Sequence, residues 1–135
     1  MTRKNFFFLL LSIAIIGSSC DPGVQYKRII QNNSGYDLKI YVYNDTLKSC
    51  NYFYDNDSFL VANKSETVLA TGSKLGHAAE FENCESCADS IISKVVGNDT
   101  MRLTINLNDP SFWNFKNFHK GVCECRLIIT NDDIK

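Results

Sequence analysis

The sequence has few of the residues on which most catalytic sites are built. Its 135 residues include only two histidines, His77 and His119, one tryptophan and two prolines. Neither histidine lies near a nucleophile motif such as Gly-x-Ser-x-Gly, and no glycine-rich segment ends in the Gly-Lys-Ser or Gly-Lys-Thr of a phosphate-binding loop. We therefore expect a protein that is not an enzyme and that needs no cofactor.

Basic stripes and long apolar runs are also missing. Beyond residue 20, the basic residues are scattered singly apart from Lys27 and Arg28. A phosphate backbone needs clustered cations to neutralise it, so we expect no nucleic-acid partner. The longest apolar run, Phe6–Ile16, is too short to cross about 30 Å of hydrocarbon, which takes roughly 20 residues of helix.

The most specific pattern lies in residues 1–23. Two basic residues precede the apolar run, which is followed by Gly17, two serines and Cys20. A basic start, a short apolar core and small residues are typical of a secretory signal peptide. The cysteine directly after them resembles the lipobox of bacterial lipoproteins, in which the thiol is acylated. Gly17 stands where that family usually has Leu, Val or Ile, so cleavage near Ser19 to a soluble secreted protein is the alternative.

The resemblance implies a signal peptide over residues 1–19, a lipidated amino terminus and short tether over 20–24, and one domain over 25–135. It also implies an exported protein that is anchored through Cys20 to a bacterial membrane, at the outer membrane or the cell surface. Several acyl chains hold a protein on a membrane almost permanently. The chain resembles small all-β lipoproteins of Gram-negative envelopes, specifically through residues 1–23 and only in style through the rest, and this resemblance implies a location and no activity.

Alternation of apolar and polar residues dominates the rest of the chain and predicts β-strands. Turn residues at Asn32–Gly35 and Gly97–Thr100 predict two hairpins. Asp109, Pro110 and phenylalanines spaced by three residues predict one short helix, with irregular structure as the alternative. The spacing predicts an all-β fold, an antiparallel β-sandwich or a partly open barrel of about seven strands. The predicted strands are Gln25–Gln31, Tyr36–Tyr43, Phe59–Ala62 (which Tyr52–Tyr54 could extend), Glu66–Thr71, Ser90–Val96, Met101–Leu107 and Val122–Thr130.

Five cysteines beyond Cys20 predict disulfides in an exported domain: Cys50, Cys84, Cys87, Cys123 and Cys125. Two bridges among five cysteines have about fifteen arrangements, so the spacing leaves the pairing open. Cys123 and Cys125 share one face of a predicted strand and are poorly placed to bridge each other. We expect each to reach across to Cys84, Cys87 or Cys50.

Two other uses of the cysteines stay open as alternatives. Cys84, Cys87, Cys123 and Cys125 together could ligate zinc, with His77 or His119 as substitutes, because tetrahedral sites pair two such short motifs. Redox chemistry is the second alternative. It needs an exposed cysteine at a helix N-terminus, and no helical pattern follows Cys87.

Exposed aromatic residues provide a candidate glycan-binding site. Tyr41 and Tyr43 fall on the polar face of their predicted strand, and Trp113 lies among several phenylalanines. Aromatic rings stack on sugars, but for the phenylalanine cluster we favour a buried plug at one end of the sandwich. In addition, Thr46, Ser90 and Thr100 each follow an aspartate and precede an apolar residue, as in the glycosylation triplet of bacterial envelope proteins.

Three hypotheses about function follow from these patterns. The first is a non-enzymatic envelope lipoprotein whose domain binds an envelope protein or supports an assembly. The second is a glycan-binding accessory lipoprotein that uses Tyr41, Tyr43 or Trp113. The third is a cysteine-ligated metal or redox protein.

Acylation of Cys20 is the prediction that the sequence makes most directly. Intact-mass measurement of the protein purified from bacterial membranes should show added acyl chains on a chain that begins at Cys20. Cys20→Ser should lose both the acyl mass and the membrane association, whereas Cys50→Ser should keep both. A secreted protein that carries an unmodified Cys20 or begins beyond it would contradict the prediction.

Overall fold

A computed structural model describes residues 23–44, 52–54, 56–75, 83–84, 87–118 and 121–135. These residues form an all-β fold with eight strands in two sheets. The strands are β1 (Gly23–Asn32), β2 (Leu38–Tyr43), β3 (Tyr52–Tyr54), β4 (Ser58–Val61), β5 (Ser65–Leu75), β6 (Ser90–Val95), β7 (Asn114–Phe118) and β8 (Val122–Ile129). One sheet has the order β3-β5-β1-β8-β7, and the other has the order β4-β2-β6.

Strand β1 lies at the centre of the five-stranded sheet. It pairs antiparallel with β5, where a bulge between Arg28 and Ile29 shifts the register. On its other side it pairs parallel with β8, which places Arg28 beside Cys125. The sandwich prediction is confirmed, but this parallel pair departs from a purely antiparallel arrangement.

The core lies between the inner faces of the two sheets, as period-two alternation requires. Side chains at every second position of β2 and β8 are buried, and their neighbours are half-buried or exposed. Burial of these apolar side chains is the main stabilising contribution in such a sandwich. The largest fully buried apolar side chains are Tyr26, Ile30, Leu38, Ile40, Leu69, Leu127 and Ile129.

The predicted hairpin at Asn32–Gly35 is wrong, because this segment carries the chain from one sheet to the other. The buried Asn32 side chain donates from Nδ2 to the carbonyl oxygens of Tyr36, Val61 and Ala62, at 2.7, 3.1 and 3.2 Å. Its Oδ1 accepts bonds from the Ser34 N–H and hydroxyl. The side chain thus links the end of β1 to the turn after β4.

The predicted hairpin at Gly97–Thr100 is also wrong, since β6 pairs with β2 and residues 101–107 form no regular strand. Asn98 Oδ1 accepts the N–H groups of Thr100 and Met101 and turns the chain away from β6. Farther along, Arg102 exchanges two main-chain hydrogen bonds with Lys135. The segment therefore pairs with the residues that follow β8.

The predicted helix is reduced to a single 3-10 turn, Pro110–Phe112. Asp109 caps it as expected, since its carboxylate accepts the Ser111 N–H at 2.9 Å. Hydrogen bonds with Ser111 lower the pKa of the Asp109 carboxyl. Beyond Trp113 the chain is extended as β7, so Phe115 and Phe118 lie on a strand. In the described ranges there is no helix of the length and hydropathy that a membrane crossing requires.

Two glycines with positive φ give a stability prediction with its own control. Gly121 (φ +73°) lies against β1, and a Cβ there would come within 2.7 Å of the Gly23 carbonyl oxygen. Gly97 (φ +76°) has open space around its Cβ position. In urea unfolding, Gly97→Ala should lose about 1–2 kcal/mol from backbone strain alone. Gly121→Ala should lose clearly more, and equal losses would show that the contact with β1 is unimportant.

Candidate functional site

The outer face of the three-stranded sheet brings the two predicted tyrosines together with aliphatic and cationic residues. Alternation along β2 turns Lys39, Tyr41 and Tyr43 outward, away from the core. The register places these three residues in cross-strand pairs with their neighbours on β4 and β6. We call this surface the Tyr41 face; it consists of Lys39, Tyr41, Tyr43, Ser58, Leu60, Ser90, Ile92 and Lys94.

Two lysines lie over the ring of Tyr41. The Nζ atoms of Lys39 and Lys94 are 5.4 and 5.9 Å from the ring centroid. A cation within about 6 Å of an aromatic face is attracted by the ring quadrupole. The residues of β2, β4 and β6 include no aspartate or glutamate, so no acidic side chain on these strands offsets the two lysines. The Tyr41 face is therefore cationic as well as aromatic.

The Tyr41 face also exposes apolar surface. Tyr43 on the central strand β2 is 54% exposed, and Leu60 on β4 and Ile92 on β6 are exposed on either side of that strand, at 60% and 47%. The sequence reasoning found the tyrosines but missed Leu60 and Ile92, because each stands next to buried apolar residues of its own strand. The sequence does contain a sign of these exposed residues. Strands β4 and β6 have apolar residues at consecutive positions, and therefore on both faces, whereas a strand with one solvent-facing side needs them on only one face.

Trp113, the third predicted glycan contact, has a different position. Its side chain is only 5% exposed, and its Nε1 donates to the Leu107 carbonyl oxygen at 3.0 Å. The guanidinium carbon of Arg28 lies 3.7 Å from the ring centroid. A ring that is buried and covered on one face cannot stack on a sugar, so the structure contradicts this role for Trp113.

Arg28 is fully buried in the same region, which sequence reasoning did not anticipate. Its Nη1 donates to the Cys84 carbonyl oxygen at 3.1 Å, and its plane packs against Trp113. Burying a guanidinium is costly unless polar and aromatic groups surround it. Arg28 thus joins β1 to Trp113 and to the loop that contains Cys84.

The cysteines form a covalent link at this place. Cys84 and Cys125 share a disulfide with a Cα–Cα distance of 5.6 Å, as expected for Cys125 reaching across to Cys84. Cys87 is also disulfide-bonded. Its partner and Cys50 lie outside the described residues. Cys123 remains a buried thiol, so the expectation that it too forms a bridge is wrong.

This pairing overturns the alternative zinc site. Three of its four sulfurs, those of Cys84, Cys87 and Cys125, are in disulfides and cannot serve as thiolate ligands. Among the described residues, no group of three His, Cys, Asp or Glu side chains could hold a metal ion. His77 and His119 lie outside the described residues.

The predicted modification sites fall in different places. Ser90 is half-buried on the Tyr41 face, directly paired with Tyr43. Thr100 is exposed in the turn after β6, where its hydroxyl bonds to Asn98 Oδ1 at 2.8 Å. Thr46 and the lipidation candidate Cys20 lie outside the described residues.

The outer face of the five-stranded sheet has a different character. Arg126 on β8 forms ion pairs with Glu124 and Glu66 at 2.7 and 2.6 Å and donates to Gln31 Oε1 at 2.9 Å. The hydrogen bonds to Glu124 and then Glu66 raise the pKa of the Arg126 guanidinium. The charged groups on this outer face are thus paired with one another. The Tyr41 face differs, because it presents lysines together with exposed aliphatic residues.

Comparisons with protein-family models, with curated proteins and with solved structures found no match to this chain.

The disulfide and the buried thiol give a prediction about cysteine chemistry. Peptide mapping without reduction should join the peptides of Cys84 and Cys125, and Cys123 should be alkylated only after denaturation. Replacing both Cys84 and Cys125 by alanine should lower the free energy of unfolding by about 4 kcal/mol, from the loop length alone. Cys123→Ala should cost less, since it shortens a side chain and opens no loop. A Cys84–Cys123 bridge would contradict this pairing.

Proposed function

We propose that this chain is an exported lipoprotein, anchored to a bacterial membrane through Cys20, whose β domain is a non-enzymatic binding module for an envelope protein. The anchor is supported by the lipobox-like end of the apolar run. The proposal assigns no catalytic residue, because the sequence offers no nucleophile, base or cofactor motif.

The short distance from the anchor to the domain supports a particular orientation. Strand β1 begins at Gly23, only a few residues beyond Cys20. The end of the sandwich that carries Gly23 and Gly121 would then lie next to the lipid surface. A domain held this closely presents the faces of its sheets sideways, where neighbouring membrane proteins can reach them.

The observation that carries the binding proposal is the composition of the Tyr41 face. Exposed aliphatic and aromatic side chains that lie together on a sheet are typical of interaction sites. Tyrosine is enriched in the centres of protein interfaces, whereas aliphatic side chains such as Leu60 gain most from burial against another protein. The two lysines over Tyr41 favour a partner surface with acidic residues.

Site-specific crosslinking tests this proposal. A photo-crosslinking amino acid at Leu60 should capture a discrete envelope protein in cells that make the lipoprotein. Ile128 is the matched control, because it is 48% exposed on the outer face of the other sheet. Addition of Tyr41→Ala should weaken capture from Leu60, since Tyr41 is the diagonal neighbour of Leu60 across β2 and β4. Equal capture from Leu60 and Ile128, or none from Leu60, would contradict the proposal.

A glycan ligand is the second candidate, and the exposure of Tyr43 beside Tyr41 favours it. An exposed aromatic ring suits the apolar face of a sugar ring. On a glycan array, Tyr41→Ala and Tyr43→Ala should each abolish binding, whereas Leu60→Ala should preserve it. Capture of an envelope protein from position 60 together with no array signal would favour the protein partner.

A further inference from the structure

A groove of about 480 Å³ lies between β6 and the segment 98–107. Strand β6 is an edge strand of the three-stranded sheet, since β2 is its only neighbour among the described strands. The groove runs along the edge of β6 that β2 does not cover. It is therefore distinct from the Tyr41 face, although Ile92 and Lys94 border both.

The main chain of β6 is directed into this groove at alternate residues. Asn108 Oδ1 accepts the Ile91 N–H at 2.6 Å, and Asn108 Nδ2 donates to the Ile91 carbonyl oxygen at 3.0 Å. Ile91 therefore directs its main-chain groups away from β2. In an antiparallel ladder the direction alternates, so Ser93 and Val95 direct theirs the same way. Within the described part of the chain, nothing hydrogen-bonds to either of them on that side.

The opposite wall of the groove is also extended main chain. Arg102 exchanges hydrogen bonds with Lys135 at 2.6 and 3.0 Å, and the Thr104 N–H donates to the Asp133 carbonyl oxygen at 2.8 Å. These bonds occupy one edge of the segment, and Leu103 forms an isolated bridge with Ile134. By the same alternation, the main chain of Leu103 is directed to the other edge, on the groove side.

The floor and rim of the groove have distinct chemistries. Val95 and Leu107 are buried, and Met101, Leu103 and Ile105 are half-buried, which gives the groove an apolar floor. Three charged side chains line it as well, the cations of Lys94 and Arg102 and the carboxylate of Asp99. The cations outnumber the acid, so the rim complements a ligand with acidic side chains.

We propose that this groove binds an extended peptide segment of a partner protein, which adds as a strand to the open edge of β6. Strand addition supplies main-chain bonds for Ser93 and Val95, and alternate side chains of the peptide contact the apolar floor. The remaining side chains face the rim, where acidic residues meet Lys94 and Arg102. The segment 98–107 lines the other side of the groove, so a strand that enters it has main chain on both sides.

Amide hydrogen exchange of the protein alone tests the open edge. The amides of Ser93 and Val95 should exchange much faster than those of Ile92 and Lys94, which β2 protects. Equal protection at all four amides would show that the edge is already covered, and would overturn the proposal.

Peptide binding tests the occupant. The probe is a short capped peptide that alternates valine with glutamate, titrated while the amides of Ser93, Val95 and Leu103 are followed by NMR. Binding should protect and shift these amides. The same peptide with alternate N-methylated residues should bind at least about tenfold more weakly, because it loses main-chain bonds. A version with lysine in place of glutamate should also bind more weakly, since it opposes Lys94 and Arg102.

Two variants of the protein separate main-chain bonding from shape. Ser93→Pro removes the N–H that faces the groove and leaves the bonds to β2 intact, as proline permits at a sheet edge. It should weaken peptide binding at least about tenfold, whereas Ser93→Ala should bind normally. Tyr43→Ala should leave peptide binding unchanged, which distinguishes this site from the Tyr41 face. Binding that survives both N-methylation and Ser93→Pro, or a peptide that does not bind wild-type protein, would overturn the proposal.

Discussion

The arrangement of the two sheets depends on one buried amide, that of Asn32. Its side chain donates to three carbonyl oxygens from two separate turns, so an apolar replacement would remove the hydrogen bonds that join these turns. The same amide makes the chain leave the five-stranded sheet and enter the other. Because β2 is the central strand of that second sheet, the position of Tyr41 and of every cross-strand neighbour on its face follows from this local polar contact.

Sequence patterns predicted the strands well and their pairing poorly. Alternation along β2 and β8 identified the buried faces, because burial acts on each strand locally. The pairing of strands depends on which distant residues form hydrogen bonds with the main-chain N–H and C=O groups along each edge of a strand. The segments Asn32–Gly35 and Gly97–Thr100 have the composition of hairpin turns, yet side-chain bonds from Asn32 and Asn98 direct both elsewhere. Such side-chain bonds compete with the main-chain hydrogen bonds of a hairpin, and composition alone does not show which of the two forms.

The candidate site, like the fold, was predicted only in part from the sequence. Tyr41 and Tyr43 were found because the polar face of a strand is readable from alternation. Trp113 was wrongly predicted to be exposed, because an aromatic residue near a turn belongs to no alternating pattern that would assign it to a face. Its burial depends on Arg28, which lies on a distant strand. The sequence narrowed the disulfide partner of Cys125 to a few cysteines but could not identify which one. Only the packing of the two sheets brings Cys84 to Cys125.

The parallel pairing of β1 with β8 has a consequence for how the domain is made. The first described strand cannot be flanked on both sides until residues such as Val122 and Ile129 are present, because they form its second neighbour. Contacts between residues so far apart in sequence slow folding, since the long loop between them must close first. The emerging chain therefore cannot complete its five-stranded sheet until β8 has been synthesised, so the nascent domain has an unpaired edge on β1 until then.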